Sequence, residues 1–308
     1  MNRITLSIAL FLALGTVARA QTGIEVKYKL PKGAKWTVSQ TLEVQSGQVD
    51  SNGTAAGKAN GCPEIHLVES WVDESLADAS GKATKIKRTI ASSQLNDADS
   101  KAEATAMEGA VLTVEREGSK VEPTAGTPEA KTLDFLRKSP PDAIEILLPA
   151  KAVKVNDAWD IKKDDFVRFL NSIGASILSA KGSNAEAIKK YFSIRMTAAR
   201  SFAEGADIKA TLTKSADGEV SVHFAGKRDL PCTSKISSGG QDQPTPTGLL
   251  EIDGTLTWNT KTGKPLEFNL TITQTQYDGT RMQIGPAGMS MNGIKDVWKI
   301  HRAWEETK

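Results

Sequence analysis

The sequence predicts a mainly β, α+β fold: one large curved antiparallel sheet, with an internal echo that admits two similar halves, and an amphipathic helix packed across it. Apolar and polar residues alternate with period two over much of the chain. In the clearest example Leu250, Ile252, Leu256 and Trp258 alternate with Glu251, Asp253, Thr255 and Thr257, which puts one face inward and one outward. After the turn-like residues 259–264 the pattern resumes, with Leu266, Phe268, Leu270 and Ile272 inward and Glu267, Asn269, Thr271 and Thr273 outward, a hairpin signature. In residues 165–181 the period changes: Phe166, Phe169, Leu170, Ile173, Ile177 and Leu178 recur at three and four, the spacing of a helix with one apolar stripe.

Taken in order, residues 1–20 read as a cleavable signal peptide. Asn2 and Arg3 precede an apolar core from Ile4 to Gly15, and Ala18-Arg19-Ala20 supplies small residues at the cleavage positions, so the exported chain begins at Gln21. The apolar run is about a dozen residues, shorter than the roughly 20 a spanning helix needs. Arg3 and Arg19 are the only charged residues of this segment, leaving 37 basic and 37 acidic side chains in the remainder. Balanced, interspersed charge offers no stripe for nucleic acid and no polybasic patch for a membrane surface. Composition leaves one continuous domain or two, residues 21–147 and 148–308.

Strands are expected over 24–30, 36–45, 65–73, 84–94 and 111–117, then in a meander through Phe192, Ile194 and Met196, through Ile208, Ala210 and Leu212, and through Val220, Val222 and Phe224, and last over 294–304. Besides the helix Asp165 to Lys181, Thr127-Pro128-Glu129 opens a short helix stopped by Pro140-Pro141, and Ser183-x-x-Glu186 forms a capping box for another. Segments 46–61 and 237–248 are loops rich in Gly, Ser, Asn or Pro.

Cys62 and Cys232 are the two cysteines. An even pair in an exported chain reads first as a disulfide. Zinc ligation with His66 and His223 is the alternative, but neither half has the Cys-x-x-Cys spacing of structural sites.

The echo lies between Leu30-Pro31 with Trp36 and Leu148-Pro149 with Trp159. Either a supersecondary unit is duplicated or two common turn-to-strand junctions coincide. The run from Leu147 through Pro149, Lys151, Val153, Val155, Asn156 and Asp157 to Trp159 resembles the LP-x-K-x-V-x-V-G-D-x-W segment of uncharacterised secreted proteins of planctomycete-like bacteria. Residues 28–36 and 257–265 are similar to that group too. Asn156 stands where the group's pattern has Gly. The resemblance implies an exported β protein and carries no assigned activity.

Nucleophile-elbow, zincin, phosphate-loop and dinucleotide motifs are absent, and no cofactor is implied. His66, His223 and His301 each sit on an expected strand at an outward position. Few aromatics, at 6% with three tyrosines, supply no girdle for an outer-membrane barrel. The expected architecture looks like that of bacterial lipoprotein carriers, so the leading function is a non-catalytic exported envelope protein, periplasmic or extracellular. It would bind an apolar or lipid-like ligand, or a protein partner, in a groove lined by Phe166, Phe169, Leu170, Ile173, Ile177 and Leu178. A surface or matrix module without a small ligand is the alternative; a carbohydrate-active enzyme with paired carboxylates is third, since such pairs are placed by the fold.

Overall fold

The computed structural model describes residues 23–307 apart from 51–54, 60–61, 80, 98–100, 116–119, 127, 138–142, 183, 204, 231–235, 239–240, 244–247 and 286–287. The signal-peptide expectation therefore lies outside the described residues, as do Cys232, Thr127 and Ser183.

The chain first lays down β1 (Lys35–Val49), β2 (Ala55–Lys58), β3 (Ile65–Ala79), β4 (Lys82–Asp97), β5 (Glu103–Ala104), β6 (Val111–Glu115) and β7 (Lys120–Ala125). Helix α1 (Ala130–Arg137), a 3-10 turn Ala143–Leu147, β8 (Ala158–Asp160), helix α2 (Lys163–Ile173), a 3-10 turn Ala175–Ser179 and helix α3 (Ala185–Ala203) follow. The chain then returns through β9 (Asp207–Ala216), β10 (Glu219–Leu230), β11 (Ile236–Ser238), β12 (Gln241–Gln243), β13 (Gly248–Asn259), β14 (Lys264–Gly285) and β15 (Gly288–Glu306).

Among the described residues thirteen strands form one open sheet, in the order β7-β6-β4-β3-β1-β15-β14-β13-β10-β9-β8, with β2 on β1 and β5 on β4. Its pairings are antiparallel throughout. The strands before residue 147 lie on one side of the β1–β15 pair and those after it on the other, so the first and last long strands join them.

Period-two alternation produces this sheet because it leaves one face to bury. On β1, Trp36, Val38, Leu42 and Val44 are buried. On β13 and β14, Leu250, Ile252, Leu256, Trp258, Phe268, Leu270 and Ile272 are buried in the same core. Five of the six tryptophans are buried, and Trp159 is half-buried against it.

The helical layer covers that inner face. Phe169 of α2 meets Phe268 of β14 edge to face at 5.3 Å, and Phe192 of α3 lies 5.6 Å from Trp298 of β15. Such aromatic pairs add about 0.5–1.5 kcal/mol each beyond the area they bury. Gly174, between α2 and the following 3-10 turn, is required by packing: a Cβ there would collide with the ring of Phe192.

Local expectations change in several places; within the segments expected as loops, β1 runs on to Val49, β2 spans Ala55–Lys58 and β12 spans Gln241–Gln243. Residues 24–30 form a single bridge, Ile24 to Val153, and otherwise run outside the ladder, with Val26, Tyr28 and Leu30 buried; Tyr28 stacks edge-on against Trp36 at 5.1 Å. The helix expected from Asp165 to Lys181 ends at Ile173, and Ile177 and Leu178 belong to the 3-10 turn. Phe192, Ile194 and Met196 lie on α3 rather than a strand. Ile188, Phe192 and Met196, four apart, are buried, whereas Ile194 is 55% exposed, so their real period is helical and the alternation was accidental. The helix announced by Glu186 is also long, at 19 residues, rather than short. No helix among the described residues is long and apolar enough to cross a membrane.

Candidate functional site

The apolar stripe lies inside the core. Phe166, Phe169, Leu170, Ile173 and Ile177 are at most 2% exposed, and Leu178 is partly buried beside them. Of these residues Phe169 makes a ring contact with the sheet, at Phe268.

Polar side chains interrupt this interface in two places, each a row across neighbouring strands. In the first row Arg302 of β15 faces Gln40 of β1, Gln40 faces Glu69 of β3, and Glu69 faces Ser93 of β4. All four are buried. The Arg302 guanidinium donates through Nε at 3.0 Å, and through Nη2, to Gln40 Oε1. Gln40 Nε2 donates to Glu69 Oε2 and to the carbonyl of Ile173, both at 3.0 Å. Ser93 and Ser176 donate to Glu69 Oε1, and Ser93 also shares a hydrogen bond of 2.7 Å with Thr105. The row thus fastens the last carbonyl of α2 and the 3-10 turn to the sheet. Burial raises the Glu69 carboxyl above its ordinary value, while Ser176, Ser93, Arg302 and Arg88 oppose that rise. Alongside, Arg88 clasps Asp73 with two bonds of 2.7 Å, and its guanidinium lies 4.8 Å from the centre of the Trp71 ring.

The second row lies six residues along β1, about 20 Å at the rise of an extended strand. Ser46 of β1 faces Asp296 of β15, which faces Gln274 of β14. Over it, one helical turn apart on α3, stand Tyr191 and Arg195. Ser46 donates to Asp296 Oδ1 at 2.5 Å, Tyr191 donates to the same oxygen at 3.2 Å, and the two hydroxyls touch. Arg195 Nε lies 3.2 Å from Asp296 Oδ2, close enough to pair charges but too poorly aligned for a hydrogen bond, so both atoms are buried without one. Gln274 is fully buried, and among the described residues neither its Oε1 nor its Nε2 has a hydrogen-bond partner.

Burial raises the Asp296 carboxyl, against the hydrogen bond from Ser46 and the charge of Arg195. Burial and the Asp296 charge raise the Tyr191 phenol, so Tyr191 is a donor at neutral pH. For Arg195 burial works downward most strongly, and Asp296, Tyr191 and Cys62 together outweigh it, so its value is raised. The group reaches the surface at Tyr191 and at Cys62, both half-buried; Arg195 Nη2 lies 3.9 Å from Cys62 Sγ.

All three histidines lie on the outer face. His66 stands 3.9 Å from Glu43, His223 Nε2 is 2.8 Å from Asp253, and His301 Nδ1 is 2.8 Å from Asn269. His66 and His301 are separated by β1 and offset by two residues, so they form no common cluster. Among the described residues no group of three or more His, Cys, Asp and Glu could hold a metal ion.

Sequence reasoning singled out the apolar stripe and missed both rows. A signal was there: Gln40, Glu69, Gln274, Asp296 and Arg302 all occupy inward positions of otherwise apolar alternations.

No family model matches the chain, and no curated protein sequence does. Among solved structures it is similar to an outer membrane channel from Pseudomonas putida F1, with 10% identity, 89% of this chain and 97% of that chain covered, and a TM-score of 0.18. It is also similar to the InvG secretin domain β-barrel from the Salmonella SPI-1 injectisome, with 10% identity, coverage of 90% and 63%, and a TM-score of 0.16. Superpositions this loose do not establish a common fold.

Proposed function

We propose that this chain is an exported, non-catalytic envelope protein that holds a lipid-like ligand between the inner face of its sheet and the helices laid across it. The observation that carries this reading is the double character of that interface. Phe169, Phe268, Phe192 and Trp298 make it apolar, and beside them Gln274, Arg195 and Asp296 keep hydrogen-bonding atoms unused. An amphiphile needs both. Export rests on the signal-like residues 1–20, and for an exported chain we propose that Cys62 pairs with Cys232 in a disulfide.

A second reading, a surface or matrix module with no small ligand, is favoured by the near-complete burial of Phe166, Phe169, Leu170, Ile173 and Ile177. Leu170→Trp separates the two. In a core with no spare volume the larger side chain overpacks and costs about 1–3 kcal/mol. Where the helices can move aside for a ligand it is tolerated, and affinity falls instead. Melting temperature and uptake of a fluorescent fatty acyl probe are measured for parent and variant. Probe uptake by the parent, with affinity rather than stability lost in the variant, supports the lipid-binding reading; a large loss of stability with no uptake by the parent puts the structural module in its place.

A further inference from the structure

We infer that the row of Ser46, Asp296 and Gln274, roofed by Tyr191 and Arg195, receives the head of that lipid-like ligand, and that this head is uncharged and bears both donors and acceptors, as the hydroxyls of a glyceride or other polyol do. The inference rests on the lipid-binding reading above and specifies its polar end.

The two polar rows differ in what is left over. Buried amides and ions are ordinarily satisfied, and an unmet one calls for a partner. In the Glu69 row the Gln40 amide uses its oxygen and its nitrogen within the protein. In the Asp296 row the leftover atoms are two donors, Gln274 Nε2 and Arg195 Nε, and two acceptors, Gln274 Oε1 and Asp296 Oδ2. Gln274 and Asp296 are directly opposite in the β14–β15 register and both are buried, so their side chains share the inner face.

The chemistry of the leftover atoms selects the head. Arg195 and Asp296 already pair their charges, so an anionic or a cationic head would leave one buried charge uncompensated. A carboxylate can accept but cannot donate to Asp296 Oδ2 or Gln274 Oε1, and a quaternary ammonium does neither. A hydroxyl does both, and neighbouring hydroxyls meet donors and acceptors together. Trp298, two residues from Asp296 on the same face and covered by Phe192, adds a further buried donor without a partner, its Nε1. Tyr191 and Cys62, half-buried at the border, mark where the row meets solvent.

The test uses the full exported chain and three probes with the same saturated acyl or alkyl chain: monomyristoylglycerol, myristate and myristyl-trimethylammonium. Dissociation constants are measured by calorimetry below micelle formation, for the parent and for Gln274→Met and Gln274→Leu, together with the melting temperature of each free protein. The glyceride should bind at least about tenfold more tightly than either charged probe, because a site that hydrogen-bonds a hydroxyl rejects analogues lacking it. Both variants should lose that preference while keeping binding of the common chain, and should melt no lower than the parent. Equal binding of the three heads, or a preference that survives in the variants, overturns the head assignment and leaves lipid binding standing. Lower melting temperatures in both variants with an unchanged preference mean that the amide is satisfied inside the protein or by ordered water, and overturn it too. No binding by any probe overturns the lipid-binding reading itself.

Discussion

The two polar rows beneath the helices are built from the same parts and end in different states. Each has a carboxylate, a side-chain amide and a serine on neighbouring strands together with an arginine, which is on the sheet in the first row and on α3 in the second. In the row of Arg302, Gln40, Glu69 and Ser93 the amide links its neighbours, and the carboxylate takes bonds from both serines and from Gln40. In the row of Ser46, Asp296 and Gln274 the amide is idle and the ion pair is misaligned. The difference teaches that buried polarity plays two roles here. A completed network fixes where α2 ends, and an incomplete one keeps capacity for something else.

The largest effect should come from breaking the completed row. Arg302→Met removes the donors to Gln40 and the larger of the two charge effects opposing burial of Glu69, and should cost about 3–5 kcal/mol. Urea unfolding checks it; a loss no greater than that of an exposed arginine would show that the row is ornamental. Gly174→Ala should cost less, about 1–3 kcal/mol, since the new methyl meets the Phe192 ring and Phe192 is already seated against Trp298. Because α3 also carries Tyr191 and Arg195, this variant should disturb the incomplete row as well. An undiminished melting temperature would mean that the two helical segments shift freely.

A smaller and more diagnostic effect is on pH dependence. Burial raises the Glu69 carboxyl, so the folded chain keeps this proton to higher pH than the unfolded chain does. The stability this contributes is complete below the unfolded value and is lost as pH rises through the folded one. Glu69→Gln cannot ionise and should flatten the decline of melting temperature from acid toward neutral pH; Asp296, raised in the same direction, keeps part of the slope. Parallel curves for parent and variant would remove Glu69 from this role.

Much of the sheet was legible because alternation reports burial directly, as in Leu250 to Trp258 and Phe268 to Ile272. Helix α2 was legible at its start and not at its end. The apolar spacing carries on through Ile177 and Leu178, but Gly174 lets the backbone change course where Phe192 presses against it, a tertiary contact that spacing does not encode. The strand expected through Phe192, Ile194 and Met196 failed because an alternating triplet also contains a pair four apart, Phe192 and Met196, and the helical period shows only when Ile188 is added. The polar rows could have been seen as inward-phase exceptions. What could not be seen is which of them would be completed, because Ser176, Tyr191 and Arg195 arrive from helices far along the chain.

The contrast between the rows is tested most directly by making one substitution in each and measuring stability by urea unfolding. Gln40→Met takes away a working amide, removing an acceptor of Arg302 and a donor to Glu69, and should destabilise by at least about 2 kcal/mol; Gln274→Met replaces an idle buried amide with an apolar side chain and should stabilise by about 1 kcal/mol. Opposite signs are the predicted result, and destabilisation of similar size in both variants would contradict it.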